Sequence, residues 1–383
     1  MRKRKDKVYC FLIVIMGVCK ICKKESEFIS SFLGLCRECI LGEKEKAIEI
    51  AKKAHEISRK KFGLTPFVPK GSGLQCFGCG NECKIPEGSK GYCGLVENKN
   101  GKLIRYAGDA EKGLLEWYYD ALPTNCVSIN FCPGGTGIGY PKYAKCKNAE
   151  IGYYNLAVFY GACNFNCLFC QNWHFKHLTQ ELKPLVSAKE LASKVNEKVN
   201  CICYFGGTPE PQLIHAIETS KLALEKKKND ILRICLESNG NANWKLLKKF
   251  AKISFETGGN IKFDLKFPKG SNLNFALCGI DNKKTYENFK KLAKFHKKRE
   301  IPFLTASTLL VPGYVTEKEI REIASFISSL DKSIPYSLLA FYPHFMLKDL
   351  PLTSRKLAEN CLKVAKEEGL ENVRIGNEHL LVD

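Results

Sequence analysis

The chain has no apolar run long enough to cross a bilayer as a helix. The best candidate, Val8 to Val18, falls far short of the roughly 20 residues a membrane-spanning helix needs. With the basic stretch Met1 to Lys7 before it, this run imitates a signal peptide, but no A-x-A-like cleavage site follows. Met16 stands directly before Gly17-Val18-Cys19, so the expected start is Met16, with residues 1–15 a spurious leader. Cysteine is too sparse for a disulfide scaffold: 20 in 383 residues, falling largely in C-x2-C pairs. Such pairs read as metal sites in a reducing compartment, so a cytoplasmic protein is expected. Acidic residues are in deficit, 40 against 60 basic ones, a net charge of +20. That balance suits a nucleic-acid or other acidic partner, and equally a lysine-rich surface of the kind hyperthermophiles favour. No basic cluster interleaves with aromatics.

One stretch organises the rest. Cys163, Cys167 and Cys170 are spaced C-x3-C-x2-C within Gly161 to Asn172, with no fourth cysteine close behind. A 4Fe–4S cluster usually takes four cysteines, so three thiolates leave one iron open to another ligand. A structural zinc site closes at four ligands, and His174 and His177 are near enough in sequence to serve. Counting alone leaves both readings open.

The spacing, with Phe169 just before Cys170, resembles the signature of the radical S-adenosylmethionine (SAM) enzymes. The wider string GACNFNCLFCQNW is similar to the branch holding pyruvate formate-lyase activating enzymes and AmmeMemoRadiSam-type proteins. The resemblance implies a 4Fe–4S cluster on the three cysteines, with SAM chelated to the open iron. It also implies a low-potential electron donor such as ferredoxin or flavodoxin, and a 5′-deoxyadenosyl radical that abstracts hydrogen from a substrate. The substrate is not written in the motif; a protein, as for an activase, or another macromolecule is compatible.

Two further cysteine groups precede the motif. Cys19-x2-Cys22 and Cys36-x2-Cys39, thirteen residues apart, make a zinc-ribbon-like signal, with an auxiliary Fe–S cluster as the alternative. The module is too short to bury a core unaided, so metal would supply its folding energy. A helix over Glu43 to Lys61 follows, completing a unit at 16–62, on which His55 reads as a surface or core residue. After a breaker-rich linker, Cys76, Cys79, Cys83 and Cys93 could close around zinc or an auxiliary cluster. This string resembles the cysteine region of AmmeMemoRadiSam-type proteins, whereas activating enzymes place extra clusters after the three-cysteine motif. Cys126, Cys132 and Cys146 form a looser group around Pro133 to Gly139, as ligands or as buried thiols. That glycine run lacks the strand–turn–helix context of a dinucleotide loop. The unit 63–150 is therefore read as cysteine-rich, with a possible auxiliary site.

From residue 151 to 383 short apolar runs alternate with amphipathic helices, the pattern of βα units around a parallel sheet. The fold class is α/β, a full or partial TIM-type barrel of the radical SAM type preceded by small cysteine-rich modules. Strands are expected at 155–160, 201–205, 232–237, 261–266, 303–310, 337–341 and 372–375. Sites on such barrels gather at the C-terminal strand ends, which selects Gly206-Gly207-Thr208-Pro209-Glu210, Ser238-Asn239-Gly240 and Asp264-Leu265-Lys266. By resemblance, Gly206 and Gly207 with Glu210 would hold the SAM ammonium, Ser238 and Asn239 the ribose, and Asp264 and Lys266 the methionine moiety. Asp264 and Lys266 could instead be a structural ion pair. Cys201, Cys203, Cys235, Cys278 and Cys361 read as buried small hydrophobes. His344 follows a strand end and could face the site. A different class also fits the basic charge and the knuckles: a zinc-containing nucleic-acid-binding protein with a silent barrel.

Overall fold

A computed structural model describes residues 16–383; the expected leader, 1–15, lies outside the described residues. Seven parallel strands follow one another in space in chain order: Tyr154–Tyr160, Val199–Gly206, Arg233–Ser238, Ile261–Asp264, Leu304–Leu310, Tyr336–Ala340 and Val373–Gly376. Each lies within about two residues of its sequence-based expectation. Strand Gly113–Ala121, N-terminal to the expected start of the barrel unit, pairs antiparallel with the first of these and carries the short Leu185–Val186 on its far side. Among the described residues no pairing joins the last strand to that edge, so the barrel is partial.

The strand period decides what each face does. On the second and third strands Ile202, Tyr204, Ile234 and Leu236 are fully buried on one face. The alternate positions Cys201, Cys203, Cys235 and Glu237 line the barrel interior. A branched apolar interior is usual for such barrels; this one is sulfur-rich and polar at its lower end. The sheet curls around the loop Cys126–Cys132: Ser128 Oγ donates to Asn260 Oδ1 (3.0 Å), and Ser337 Oγ on the sixth strand donates to Val127 O (3.0 Å). The glycine run behind that loop forms the short helix Pro133–Thr136 and then Gly137 at φ +76°. A Cβ on Gly135 would stand 1.8 Å from Ile129 O. The glycines serve close backbone packing.

Helix starts follow the expected caps in part. Thr316 and Glu319 form the reciprocal capping box ahead of Glu317–Leu330. At Ser187 the hydroxyl half forms, Glu190 N donating to Ser187 Oγ at 3.1 Å. Gly258 and Gly369, at φ +75° and +89°, end the helices Trp244–Glu256 and Arg355–Glu367.

The amino-terminal segment is fastened to the barrel. Arg37 forks onto the same Glu319 carboxylate that caps the helix, with Nε to Oε2 at 3.0 Å. Ser31 N donates to Asp349 Oδ2 (2.6 Å), and Tyr314 Oη accepts from Ser30 N and donates to Leu35 O. The helix Lys44–Lys60 lies against Asn272–Cys278. His55 is buried in that seam, where Nε2 donates to the carbonyls of Phe275 and Ala276, 3.1 Å from each.

Candidate functional site

Cys163, Cys167 and Cys170 lie on the loop that leaves the first parallel strand at its C-terminal end, and all three line one cavity. The loop is held from four sides. Asn166 N and Leu168 N donate to Cys278 O and Leu277 O, each at 2.8 Å, and Met346 N donates to Leu168 O. Asn81 Nδ2 donates to Asn164 O (2.8 Å), and Asn164 Nδ2 to Asn241 O (2.7 Å). The Asn166 amide donates to His55 Nδ1 (2.8 Å) and Ser58 Oγ (2.7 Å), while its oxygen accepts from Lys176 Nζ (2.7 Å). The amino-terminal helix thus braces the residue between Cys163 and Cys167. Sequence reasoning assigned neither His55 nor Asn166 that part.

The other strand-end residues meet at the same cavity: Gly206, Gly207, Ser238, Asn239, Asp264 and Lys266, with Phe169. Gly206 has φ +111°, and a Cβ on Gly207 would stand 2.3 Å from Ala162 O, so neither position admits a side chain without displacement. Asn172 Nδ2 donates to Gly206 O at 3.2 Å. Lys266 Nζ donates to Asp264 Oδ2 at 2.7 Å, and Ser307 Oγ donates to Asp264 Oδ1 at 2.8 Å; Asp264 remains half exposed toward the cavity. The ion-pair alternative therefore describes their resting contact, and both still face the cavity.

Glu210 is placed differently from its expected role. It is fully buried and accepts from Ser238 Oγ, Thr208 Oγ1 and Gly240 N (3.0 Å). Its carboxylate knits the Gly206–Thr208 loop to the Ser238–Gly240 turn behind the cavity wall, where Thr208 provides the lining. Ser238 and Asn239 line the cavity with their side chains engaged: Gly240 N donates to Ser238 Oγ, Asn239 Nδ2 donates to Asn164 Oδ1 (2.8 Å), and Asn241 N donates to Asn239 Oδ1. His174 stacks on Phe159 at 4.5 Å, His177 packs on Phe62 at 5.2 Å, and His344 lies against Tyr342. None of the three histidines lines the cavity.

Electrostatics set the thiols apart. Burial pushes Cys163 up and Cys170 to about 12, whereas the neighbouring Cys278 thiol holds Cys167 down. Burial pulls the Lys176 ammonium down to about 7, and it lies close enough to feel all three cysteines. Arg59, buried over the Tyr92 ring at 3.5 Å, feels Cys163, Cys93 and Cys83 together. Cys278, read from sequence as a small hydrophobe, is thus a buried sulfur beside the triad. Its proximity arises from a contact 111 residues away in sequence, which local spacing does not carry.

The cysteine groups differ in spread. All four sulfurs of Cys19, Cys22, Cys36 and Cys39 lie within 4.8 Å of one another, and Cys22 Sγ is 3.7 Å from Cys36 Sγ. Thiolates at about 2.3 Å from a tetrahedral zinc stand about 3.8 Å apart, so this group has single-ion dimensions. Cys36 also caps the helix Arg37–Gly42, accepting from Cys39 N at 3.4 Å. No other group of three or more described ligand residues is gathered so tightly. Cys76, Cys79, Cys83 and Cys93 are mutual electrostatic neighbours at wider spacing. Their segment is tied to the triad's surroundings by Gly80 N donating to Asn241 O at 2.8 Å.

Residues 157–327, which include the three cysteines, match the Radical SAM superfamily and form a Radical SAM domain of this chain. An uncharacterized protein of Methanocaldococcus jannaschii is 26% identical over 322 residues, covering 79% of this chain and 81% of its own. A second from the same organism is 25% identical over 231 residues, covering 56% and 62%. Among solved structures, a radical SAM methyltransferase from Sphaerobacter thermophilus covers 59% of this chain and 67% of its own, at 14% identity and a TM-score of 0.44. No described helix is long and apolar enough to cross a membrane.

Proposed function

We propose that the chain is a radical SAM enzyme that splits SAM reductively and uses the resulting radical to modify a macromolecule, a protein partner being the first candidate. The observation carrying this reading is that Cys163, Cys167 and Cys170 share one cavity with Gly206-Gly207, Ser238-Asn239 and the Asp264/Lys266 pair. The donor set fits an open cluster: three thiolates spread wider than a single ion requires, with no histidine completing a fourth position. When bound, the reduced 4Fe–4S cluster supplies the electron that divides the sulfonium into methionine and a 5′-deoxyadenosyl radical.

The chain's own groups place and shield. Cys163, Cys167 and Cys170 would hold the cluster. The side-chain-free backbone at Gly206 and Gly207 would accept from the SAM ammonium, with Glu210 fixing that loop from behind. Lys266 and Asp264 offer opposite charges to the two ends of the methionine moiety. Asn239 and Ser238 form the wall the ribose would meet. Lys176 and Arg59, both buried close to the triad, offset the negative charge of three thiolates. An external low-potential donor such as ferredoxin or flavodoxin would reduce the cluster, which suits a reducing, cytoplasmic setting. Zinc at Cys19–Cys39 would hold the segment that carries the Arg37 clamp.

The test is anaerobic reconstitution with iron and sulfide, then dithionite and SAM. The expected product is 5′-deoxyadenosine in the wild type and none above background in the Cys163→Ala variant. Equal yields from the two proteins would overturn the reading.

A further inference from the structure

Beneath the strand-end cavity lies a second one, of about 120 Å³, in the floor of the barrel. Phe205 and Glu237 line both, so the two chambers share a wall. By the measure in which a single water needs roughly 10–15 Å³, the lower chamber has room for a compact inorganic group. Five cysteines line it: Cys126 and Cys132 from the plugging loop, Cys201 and Cys203 from the second parallel strand, and Cys235 from the third. All are unbridged.

Burial as small apolar fillers does not account for them. Fillers would close the space, and this space stays open. Fillers would also avoid charge, yet Lys262 Nζ reaches into the group, 2.9 Å from Cys126 Sγ and 3.4 Å from Cys203 Sγ, while also pairing with Glu237. Cys126 Sγ accepts a second hydrogen bond from Ser128 N at 3.4 Å. Two donors are thus aimed at the Cys126 sulfur, a geometry suited to a sulfur that carries the charge of a metal ligand. Lys262 itself is nearly inaccessible, and a buried ammonium needs anionic neighbours. Glu237 supplies one such neighbour, and Glu150 none, its carboxylate being taken by Arg233 at 2.6 Å.

We propose that this chamber is a separate metal centre, an iron–sulfur cluster held by four of the five cysteines with Lys262 donating to its sulfur ligands. Soft thiolate sets take zinc, copper(I) or iron–sulfur clusters. A cluster suits sulfurs that, like the Cys163–Cys170 triad and unlike Cys19–Cys39, are not gathered to single-ion distances. Each ligating thiol releases its proton on binding, and a net-anionic cluster would add to the counter-charge that Glu237 already gives the lysine. The half-exposed Cys126–Cys132 loop offers the way in. Cys146 does not line the chamber.

The experiment counts iron and acid-labile sulfide in the reconstituted full-length protein and in two double variants. Cys126→Ala with Cys132→Ala alters the loop alone; Cys203→Val with Cys235→Val alters the strands. Each is expected to lose about four irons and the matching sulfide while keeping the SAM-induced change in the triad's EPR signal, which certifies the fold. Wild-type iron and sulfide in both folded variants would overturn the proposal. Should neither fold, sulfide is measured in the chain with Cys76, Cys79, Cys163 and Cys167 all changed to Ala. Retained sulfide supports the floor cluster, and a sulfide-free protein refutes it. Sulfide is the deciding readout because iron alone could settle at Cys19–Cys39 without it.

Discussion

Two cysteine sites in one chain differ in spacing and in the support the fold gives them. At Cys19–Cys39 four sulfurs close within 4.8 Å on two knuckles, in a segment that Ser30, Ser31 and Arg37 fasten to the barrel. At Cys163–Cys170 three sulfurs stand wider on a loop braced by Asn81, His55, Ser58 and Lys176, and they face a cavity instead of one another. The first site has four thiols at single-ion spacing; the second offers three and has the surrounding fold keep them placed. The two are joined through the helix Lys44–Lys60, which follows the first and carries the brace of the second.

The sharpest break between them is chemical. Cys163→Ala, Cys167→Ala or Cys170→Ala is expected to lower 5′-deoxyadenosine formation on the order of 1,000-fold or more, whereas Cys22→Ser should leave it within about tenfold; chromatography of the product reads both. Stability reverses the ranking. Structural zinc supplies on the order of 10 kcal/mol of local folding energy in small modules, so chelation or Cys36→Ser should release zinc and expose 17–40 to limited proteolysis while the barrel stays folded.

The shared brace titrates. Burial pulls His55 down to about 4 against an ordinary value near 6.5. Its Nδ1 accepts from Asn166, so the native state requires the neutral ring. A depressed histidine leaves stability intact above about pH 6.5 and costs it as pH falls from there toward 4, by up to about 3 kcal/mol. Thermal unfolding of the wild type should show that loss, and His55→Gln should flatten part of it; His215, also near 4 by burial, and His296, likewise held down by burial, contribute to the rest. The smallest effect belongs to the junction. Thr316→Ala removes a cap worth about 1 kcal/mol and should lower the melting temperature by about 2–4 °C, without touching product yield.

Much of the scaffold was legible in the sequence because it is local. All seven parallel strands, the helix over 44–60 and the Thr316 box follow from period, length and cap chemistry. The triad's place at a strand end and the cavity it shares with the later strand-end turns also follow from that order. Contacts between distant elements were not legible. Glu210 carries the right charge for a SAM contact, yet three donors from two loops hold it behind the wall. Cys201, Cys203 and Cys235 sit on apolar runs that read as core, and only the curl of the sheet brings them to Cys126 and Cys132. His55 became part of the site through Asn166. An inward charge such as Glu237 or Lys262 on a barrel strand was the available signal, since such positions are otherwise branched and apolar.

The most direct test of the central contrast is the EPR spectrum of the dithionite-reduced, reconstituted protein before and after SAM is added, taken on the wild type and on Cys22→Ser. The expected result is a cluster signal that shifts with SAM and whose shift persists unchanged in Cys22→Ser, which excludes Cys19–Cys39 as the open site. A spectrum indifferent to SAM, or a shift lost with Cys22, would contradict it.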